Sequence, residues 1–227
     1  MTKEECIKLN TIAYVQKIDE CVICEHSLTI TVGDLSRKIT CTGSDLSELV
    51  YGFLCGEGLI KSAEDVEALV FNEDKTDVRV ILCKKTDSED IRKNIRKDGI
   101  SYSPDQIYDL VNAFSNHEGI HTYTSASHTA MIGAGNEVLC IRDDISRHCA
   151  IDKVIGYALL NGIDLSECMI FSSGRMQYDT VIKLVNAGIS LIASKSCPSF
   201  EAIELAKDKG IKLIGRAWPD GYTVYTE

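Results

Sequence analysis

Strand-like and helix-like segments alternate through the second half of the sequence, and this alternation most constrains the fold. Apolar runs at Cys168 to Phe171, Ile189 to Ala193 and Ile211 to Ile214 have the length and composition of buried strands. Between them, Tyr178 to Asn186 and Ser199 to Lys209 carry apolar residues at helical spacing, and each is followed by a glycine. Repeated strand–helix–strand units predict an α/β layer with parallel strands, in which Ile211 to Ile214 is the last clear strand.

A predicted hairpin and a predicted helix lead into this region. His128 to Ile132 and Val138 to Ile141 are strand-like and flank the turn-forming sequence Gly133 to Asn136. Cys149 to Asn161 then carries apolar residues three and four positions apart, which is typical of a helix packed on a sheet. An earlier helix should begin at Ser103-Pro104-Asp105-Gln106, which has the sequence of a capping box with proline at the first helical position.

The first 83 residues are predicted to form mostly strands. Ser27 to Val32 alternates apolar and polar residues, and the turn that follows leads to Arg37 to Cys41, so the two segments predict a hairpin. Ser44 is predicted to cap the helix that comes next, with Gly56 near its end. Two more strand-like segments complete a β-rich N-terminal half.

These patterns divide the chain into two predicted domains. Residues 1–103 form a smaller β-rich domain with one helix, and residues 104–227 form the α/β domain. Residues 84–103 are hydrophilic and have no wide apolar face, so we predict a polar linker there.

Composition limits the classes of function. A formal net charge of −10 argues against a nucleic-acid or anionic-membrane surface, since both select for basic patches. The chain has no secretory signal and no apolar run long enough for a bilayer, so we expect a cytoplasmic protein. Its ten cysteines are scattered irregularly, which indicates reduced thiols rather than a disulfide scaffold.

Charged side chains are concentrated where the predicted strands of the α/β layer end. In open α/β sheets, ligands bind beyond the carboxyl ends of the strands. Each segment leaving such an end contains Arg or Lys: Arg142 to His148, Ser172 to Arg175, Ser194 to Pro198 and Gly215 to Trp218. Basic loops next to helix N-termini favour anions, so we predict a phosphate-bearing ligand, with Trp218 and Tyr222 as aromatic faces for a flat ring.

Several motifs along the chain occur in an order that is known from one family. In the N-terminal half they are Glu25 to Ile30, Cys41 to Leu46 and Tyr51 to Ile60. In the C-terminal half they are Thr124 to His128, Asp143 to Lys153, Ser173 to Arg175, Ser194 to Pro198 and the region from Gly215. Together they resemble the formate dehydrogenase accessory sulfurtransferase family (FdhD/NarQ), and the resemblance covers nearly the whole chain.

The resemblance implies a fold, a ligand and partners. It implies a cytidine-deaminase-like α/β domain, a homodimer, and binding of the guanine-dinucleotide form of the molybdenum (or tungsten) cofactor. It also implies that a cysteine desulfurase supplies sulfur to that cofactor before insertion into formate dehydrogenase. The basic loops and matched motifs give the expected ligand-binding residues: His128, Asp144, Arg147, His148, Asp152, Lys153, Ser173, Gly174, Arg175, Ser194, Ser196 and Arg216, with Lys195 beside them.

The sequence departs from the family where the sulfur chemistry should be. The family carries sulfur on a Cys-x-x-Cys loop between its two halves, but Lys84 to Gly119 contains no cysteine. Cys149 and Cys197 replace other residues of the family motifs and lie beside basic residues near predicted helix starts, which lowers a thiol pKa. They are the candidate catalytic cysteines, with buried space-filling cysteines as the alternative interpretation.

Three functions therefore compete. The chain is a family member that binds the cofactor without transferring sulfur, a sulfurtransferase with a relocated cysteine, or a nucleotide-binding or metal-dependent hydrolase or deaminase on the same fold. For the last, His128, Cys149 and Cys197 would be the zinc ligands. Cys21 and Cys24 have the spacing of half a metal or redox site, but two thiols do not complete a zinc site.

Overall fold

The computed structural model describes residues 6–12, 17–83 and 102–226, with side chains described from Cys21 onward. The strands are β1 (Cys6–Ile12), β2 (Lys17–Ile23), β3 (His26–Val32), β4 (Leu35–Cys41), β5 (Val66–Phe71), β6 (Asp77–Leu82), β7 (His128–Ala134), β8 (Glu137–Asp144), β9 (Met169–Ser172), β10 (Leu191–Ser194), β11 (Lys212–Trp218) and β12 (Gly221–Thr226). The α-helices are α1 (Leu46–Gly56), α2 (Pro104–Ser115), α3 (Ile120–Thr124), α4 (Arg147–Leu160), α5 (Tyr178–Asn186) and α6 (Phe200–Lys209).

A six-stranded mixed sheet forms the centre of the C-terminal half, in the order β12-β11-β10-β9-β7-β8. Strands β9, β10 and β11 are parallel, as the alternating pattern predicts. Strand β7 is antiparallel to both β8 and β9, so β8 runs in the same direction as β9. The carboxyl ends of β8, β9, β10 and β11 therefore share one edge of the sheet, which also holds the start of β7.

The end of the chain differs from the prediction. Ile211 to Ile214 is not the last strand, because β11 continues to Trp218 and β12 pairs with it antiparallel. Strand β11 is irregular: its register with β12 shifts between Gly215 and Trp218, and Arg216 has a φ of 49°. The predicted α/β fold with a β-rich N-terminal part is confirmed, and the sheet is mixed rather than purely parallel.

The N-terminal half contributes a four-stranded sheet in the order β4-β3-β6-β5 and a separate β1–β2 pair. The predicted hairpin is confirmed as β3–β4, with Val32 opposite Leu35 at its turn. The inward residues Leu28 and Ile30 of β3 are fully buried, because alternate side chains of a strand point to one face. This sheet packs into the same buried cluster as the C-terminal half.

Helix α1 crosses α4 at very close range. A Cβ at Gly52 would overlap with the backbone carbonyl of Asp152, and a Cβ at Gly156 would overlap with the carbonyl of Glu48. Glycine at both positions lets the two backbones touch, and the buried residues around the crossing belong to both halves of the chain. The division into domains at residue 103 stays a prediction, with one continuous core packed across it.

Two helix starts show how local sequence signals compare with tertiary contacts. Ser103 caps α2 as predicted: its Oγ accepts from Gln106 N at 3.2 Å, and Gln106 Oε1 accepts from Ser103 N at 2.9 Å. The predicted cap by Ser44 is wrong, because α1 begins one residue later with Asp45 as N-cap and no side-chain cap. The Ser44 hydroxyl instead accepts a hydrogen bond from Lys153 Nζ at 3.3 Å.

The predicted linker at residues 84–103 lies outside the described residues except for its last two positions. One of these, Tyr102, is buried, and its hydroxyl donates to Glu167 O at 2.9 Å. No helix within residues 6–12, 17–83 and 102–226 combines the length and the apolar composition of a bilayer-spanning segment.

The α1–α4 crossing makes a stability prediction. We expect Gly156→Ala to lower the free energy of unfolding by about 3 kcal/mol, since the added methyl group must displace a backbone carbonyl in a packed interface. Gly43→Ala is the matched control, because its Cβ would have only ordinary contacts at 3.8 Å or more. Urea denaturation of both variants measures the difference, and equal stabilities would refute the close crossing.

Candidate functional site

The predicted basic loops meet at one edge of the six-stranded sheet. Ser173 N donates to Thr129 O at 2.9 Å, which joins the loop after β9 to the start of β7. Lys195 N donates to Ser172 O at 3.1 Å, and Arg216 N donates to Ser196 O at 3.3 Å. Backbone hydrogen bonds thus hold the loop after β9, the loop after β10 and the irregular part of β11 together. We name this region the basic edge.

Two of the predicted ligand-binding serines hold these loops in place. Ser194 is fully buried, and its hydroxyl donates to Gly174 O at 2.7 Å while accepting from Ser196 N at 3.0 Å. Ser196 Oγ donates to Ser173 O at 3.4 Å. Both hydroxyls are therefore engaged within the protein and fix the shape of the edge.

His128 and Ser173 form a polar pair at the start of β7. Ser173 Oγ accepts from Thr129 N at 3.0 Å and lies 3.3 Å from His128 Nδ1. Burial, followed by the positive charge of Arg147, holds the pKa of His128 below its usual range. His128 is therefore neutral at pH 7 and retains one ring nitrogen as a hydrogen-bond acceptor.

Arg147 is the most constrained cation of the edge. It lies over Gly174, where a Cβ would come within 2.9 Å of the Arg147 Cβ, and its guanidinium donates to Gln177 Oε1. Its Nε is buried and has no hydrogen-bond partner in the described part of the protein. Because a buried unpaired donor is costly, this atom is suited to bind a ligand. Arg175 is exposed next to Gly174.

Cys197 and Arg216 form a second group at the β11 side of the edge. Arg216 Nε donates to Cys197 Sγ at 2.9 Å, and Cys197 is exposed. This bond, with a further one from Tyr225, lowers the pKa of the Cys197 thiol. The left-handed backbone at Arg216 turns its side chain toward the thiol within an otherwise extended strand. The arrangement favours a reactive thiolate.

The two aromatic residues predicted to face a ring, Trp218 and Tyr222, have different packing partners. Lys195 Nζ lies 4.9 Å from the centre of the Trp218 ring and 5.1 Å from that of Phe114, so the ammonium group packs between two aromatic faces. Burial lowers the pKa of Lys195. Tyr222 packs against Tyr108 instead, with ring centres 5.6 Å apart, and Trp218 is 46% exposed. Trp218 is the aromatic residue available to a ring at the edge.

Asp144 and Lys153 lie behind the edge, not on it. Both side chains are completely buried, and Lys153 Nζ lies 2.9 Å from Asp144 Oδ2. Thr42 completes this cluster: its backbone N and Oγ1 donate to Asp144 Oδ2, and its Oγ1 accepts from Lys153 at 2.6 Å. The ligand-binding role of Asp144 and Lys153 stays a prediction; neither side chain is exposed, and both are engaged by partners within the protein.

Asp152, His148 and Cys149 face a separate cavity beside α4. Asp152 is buried and bonded through both oxygens to Lys183 Nζ, at 2.6 and 2.9 Å. His148 Nε2 lies 3.5 Å from Asp179. Cys149 is only 4% exposed, and burial raises its thiol pKa, so the structure favours Cys197 as the reactive candidate.

The zinc set of His128, Cys149 and Cys197 is not assembled. Among the described residues, no group of three or more His, Cys, Asp or Glu side chains is arranged to hold a metal ion. This includes the pair Cys21 and Cys24, of which Cys21 lies in β2 and Cys24 just after it. The zinc ligands that a hydrolase or deaminase would need from these residues are therefore not brought together.

Sequence reasoning missed a second histidine arrangement next to the edge. Asp143 accepts from Thr129 Oγ1 at 2.5 Å and from Ile120 N at 3.0 Å, and lies 3.3 Å from His117 Nε2. His121 Nδ1 lies 2.9 Å from Ser127 O, next to His128. No motif surrounds His117 or His121, and the packing of α3 against β2 and β8 brings them here.

Thiol chemistry tests the two candidate cysteines. We expect iodoacetamide at neutral pH to label Cys197 several-fold faster than Cys149, because the Arg216 contact stabilises the thiolate and burial shields Cys149. Arg216→Gln should slow labelling of Cys197 and leave the rate at Cys83, an exposed thiol elsewhere, unchanged. Peptide mass spectrometry gives the rates, and faster labelling of Cys149 would contradict this assignment.

Comparisons with known proteins agree on one family. The family model described as the FdhD/NarQ family matches residues 23–98 and 83–227. Relatives described as sulfur carrier protein FdhD include one from Geobacillus kaustophilus, 29% identical and covering 94% of this chain and 90% of its own. Another, from Bacillus subtilis, is 28% identical and covers 93% and 90%.

A solved structure supports the same fold. It is described as a formate dehydrogenase accessory protein from Desulfotalea psychrophila, and it matches with a TM-score of 0.80 at 24% identity. The match covers 98% of this chain and 96% of the other. At this identity the likeness establishes the architecture, while the family match spans almost all of the sequence. The protein belongs to the FdhD/NarQ family.

Proposed function

We propose that this protein is an accessory protein for formate dehydrogenase that binds the guanine-dinucleotide form of the molybdenum or tungsten cofactor at the basic edge. The cofactor is cargo, received for maturation and passed to the enzyme. The names of the relatives and of the structural neighbour support the accessory role. The proposal includes a homodimer, which rests on the family resemblance, and the cytoplasmic location expected from the sequence.

The observation that carries the proposal is the unpartnered donor at Arg147. Its Nε is buried without a partner, and the charges of Arg147 and Arg175 both act on the nearby His128, where they help to lower the pKa of the imidazole. A diphosphate group offers several acceptor oxygens and two or more negative charges, which matches two guanidinium groups on an otherwise acidic protein. The group expected from the resemblance therefore fits the residues present.

Each residue of the edge has a distinct task in this proposal. Arg147 and Arg175 hold phosphate oxygens, and His128 accepts a hydrogen bond from a ribose hydroxyl or a base. Trp218 supplies an exposed ring for stacking on the guanine. Ser194 keeps the loops after β9 and β10 in contact, so that the binding groups are positioned before the ligand arrives.

Sulfur transfer, if retained, would use Cys197. A cysteine desulfurase presents a persulfide, and the Cys197 thiolate attacks its terminal sulfur. The sulfur–sulfur bond of the desulfurase breaks, its thiolate leaves, and a persulfide forms on Cys197. Arg216 supports the thiolate before this step, and Cys197 lies on the same edge as the proposed cargo site. Cys149 lacks the exposure this exchange requires.

Guanosine diphosphate tests the cargo site. We expect it to bind the purified protein, and Arg175→Ala to weaken binding by about tenfold or more, because a charge-assisted hydrogen bond contributes roughly 1.5–3 kcal/mol. Lys207→Ala removes an exposed cation from the far end of α6 and is the matched control. Isothermal titration calorimetry measures both. Absence of binding by the unaltered protein, or equal effects of the two variants, would refute the site.

Persulfide loading tests the sulfur step separately. After incubation with a cysteine desulfurase and cysteine, intact mass should increase by one sulfur, and peptide mapping should place it on Cys197. Cys197→Ser should abolish the gain and Cys149→Ser should preserve it, because Cys197 is exposed and has a lowered thiol pKa, whereas Cys149 is buried. A protein that never gains sulfur would be a binding protein without carrier activity.

A further inference from the structure

A cavity of about 740 Å³ lies beside the basic edge and is not explained by the proposed function. It is bounded by β4, the C-terminal end of α1, the first turns of α4 and one face of α5. Arg147, Arg175 and Arg216 are not among its lining residues, so it is distinct from the basic edge. Its volume lies within the range of small-molecule sites, about 300–1,000 Å³.

The groups at the floor of the cavity are a neutralised ion pair and a protonated thiol. Asp152 and Lys183 form a buried ion pair there, and Lys183 Nζ also lies 5.6 Å from the centre of the Phe53 ring. The Cys149 thiol donates to Thr40 O at 3.6 Å, and burial raises its pKa, so it remains protonated. None of these three groups has an uncompensated charge that could attract a charged ligand.

Four large apolar side chains line the cavity among polar ones. Ile39, Phe53, Ile145 and Ile182 come from four different elements or loops and line the same space. Phe53 is 5% exposed, so its ring is held firmly in the wall. These four side chains offer apolar contacts to a ligand with a compact hydrophobic body, because burying that body removes its surface from water.

The exposed charges at the mouth are predominantly negative. Glu25, Glu57 and Asp179 are exposed lining residues, and Arg37 is the exposed lining residue of opposite charge. His148 adds no full positive charge at neutral pH, since burial lowers its pKa although Asp179 opposes the shift. An excess of carboxylates over cations attracts a positively charged group and repels anions such as the proposed nucleotide cargo.

We infer that this cavity binds a small organic cation, an amine attached to an apolar body. The ammonium group lies at the mouth among the carboxylates of Glu25, Glu57 and Asp179. The hydrophobic body reaches between Phe53 and Ile182 toward the balanced floor. Cation selection and apolar burial come from different residues, so each can be removed separately.

A matched series of indole compounds tests the charge requirement. Tryptamine is cationic, tryptophol is its neutral analogue and indole-3-acetate is anionic. We expect tryptamine to bind about tenfold or more tightly than tryptophol, because the neutral compound cannot form charge-assisted hydrogen bonds to the carboxylates, and indole-3-acetate to bind weakest. Isothermal titration calorimetry on the full chain gives the three affinities. Equal affinities, or preference for the neutral or anionic compound, would overturn the inference.

Two variants locate the binding in the cavity. Glu25→Gln combined with Glu57→Gln should weaken tryptamine binding several-fold, with Glu201→Gln, an exposed carboxylate on α6, as control. Ile182→Trp should fill the space and abolish binding, with its melting temperature confirming that the protein is folded. Binding unaffected by either change would place tryptamine elsewhere and refute the site. Guanosine diphosphate titration of the same variants separates this result from the basic edge.

Discussion

The contact of α1 with α4 determines how the two halves of the chain meet. At Gly52 and Gly156 the helix backbones touch without intervening side chains. This short distance brings Thr42, just before α1, within hydrogen-bond reach of Asp144 and Lys153. The buried ion pair in turn fixes the end of β8 against the first turns of α4. The basic edge depends on this support, because Arg147 begins the same helix.

Much of the C-terminal half could be predicted because its local signals agree with its tertiary contacts. Helix α5 has the predicted bounds, and its buried Val181 and Leu184 lie at helical spacing. Strand β12 was missed because it pairs on one side only and leaves Thr223 and Val224 exposed, so its apolar pattern is weak. Ser44 was assigned to a cap because sequence cannot show that Lys153 competes for its hydroxyl.

The candidate site divides in the same way. That the basic loops share one edge follows from strand direction alone, and this part of the prediction is confirmed by the sheet topology. The sequence could not predict which site each side chain of α4 faces or whether that side chain is buried. Arg147 contacts Gly174 while His148 lines the neighbouring cavity, because successive helical residues point about 100° apart. Lys153, polar by composition, is completely buried because Asp144 compensates its charge.

The surface charges have a consequence for how a ligand reaches the protein. The chain carries a formal net charge of −10, yet Arg147, Arg175 and Arg216 point to one edge while acidic residues surround the adjacent cavity. Opposite charges are therefore concentrated at two neighbouring places on the surface. An anionic ligand is repelled over most of the surface and guided toward a narrow approach, whereas a cation is guided to the next opening. Each opening would therefore favour ligands of one charge before they touch the protein. Added salt would weaken this preference by screening the electric field.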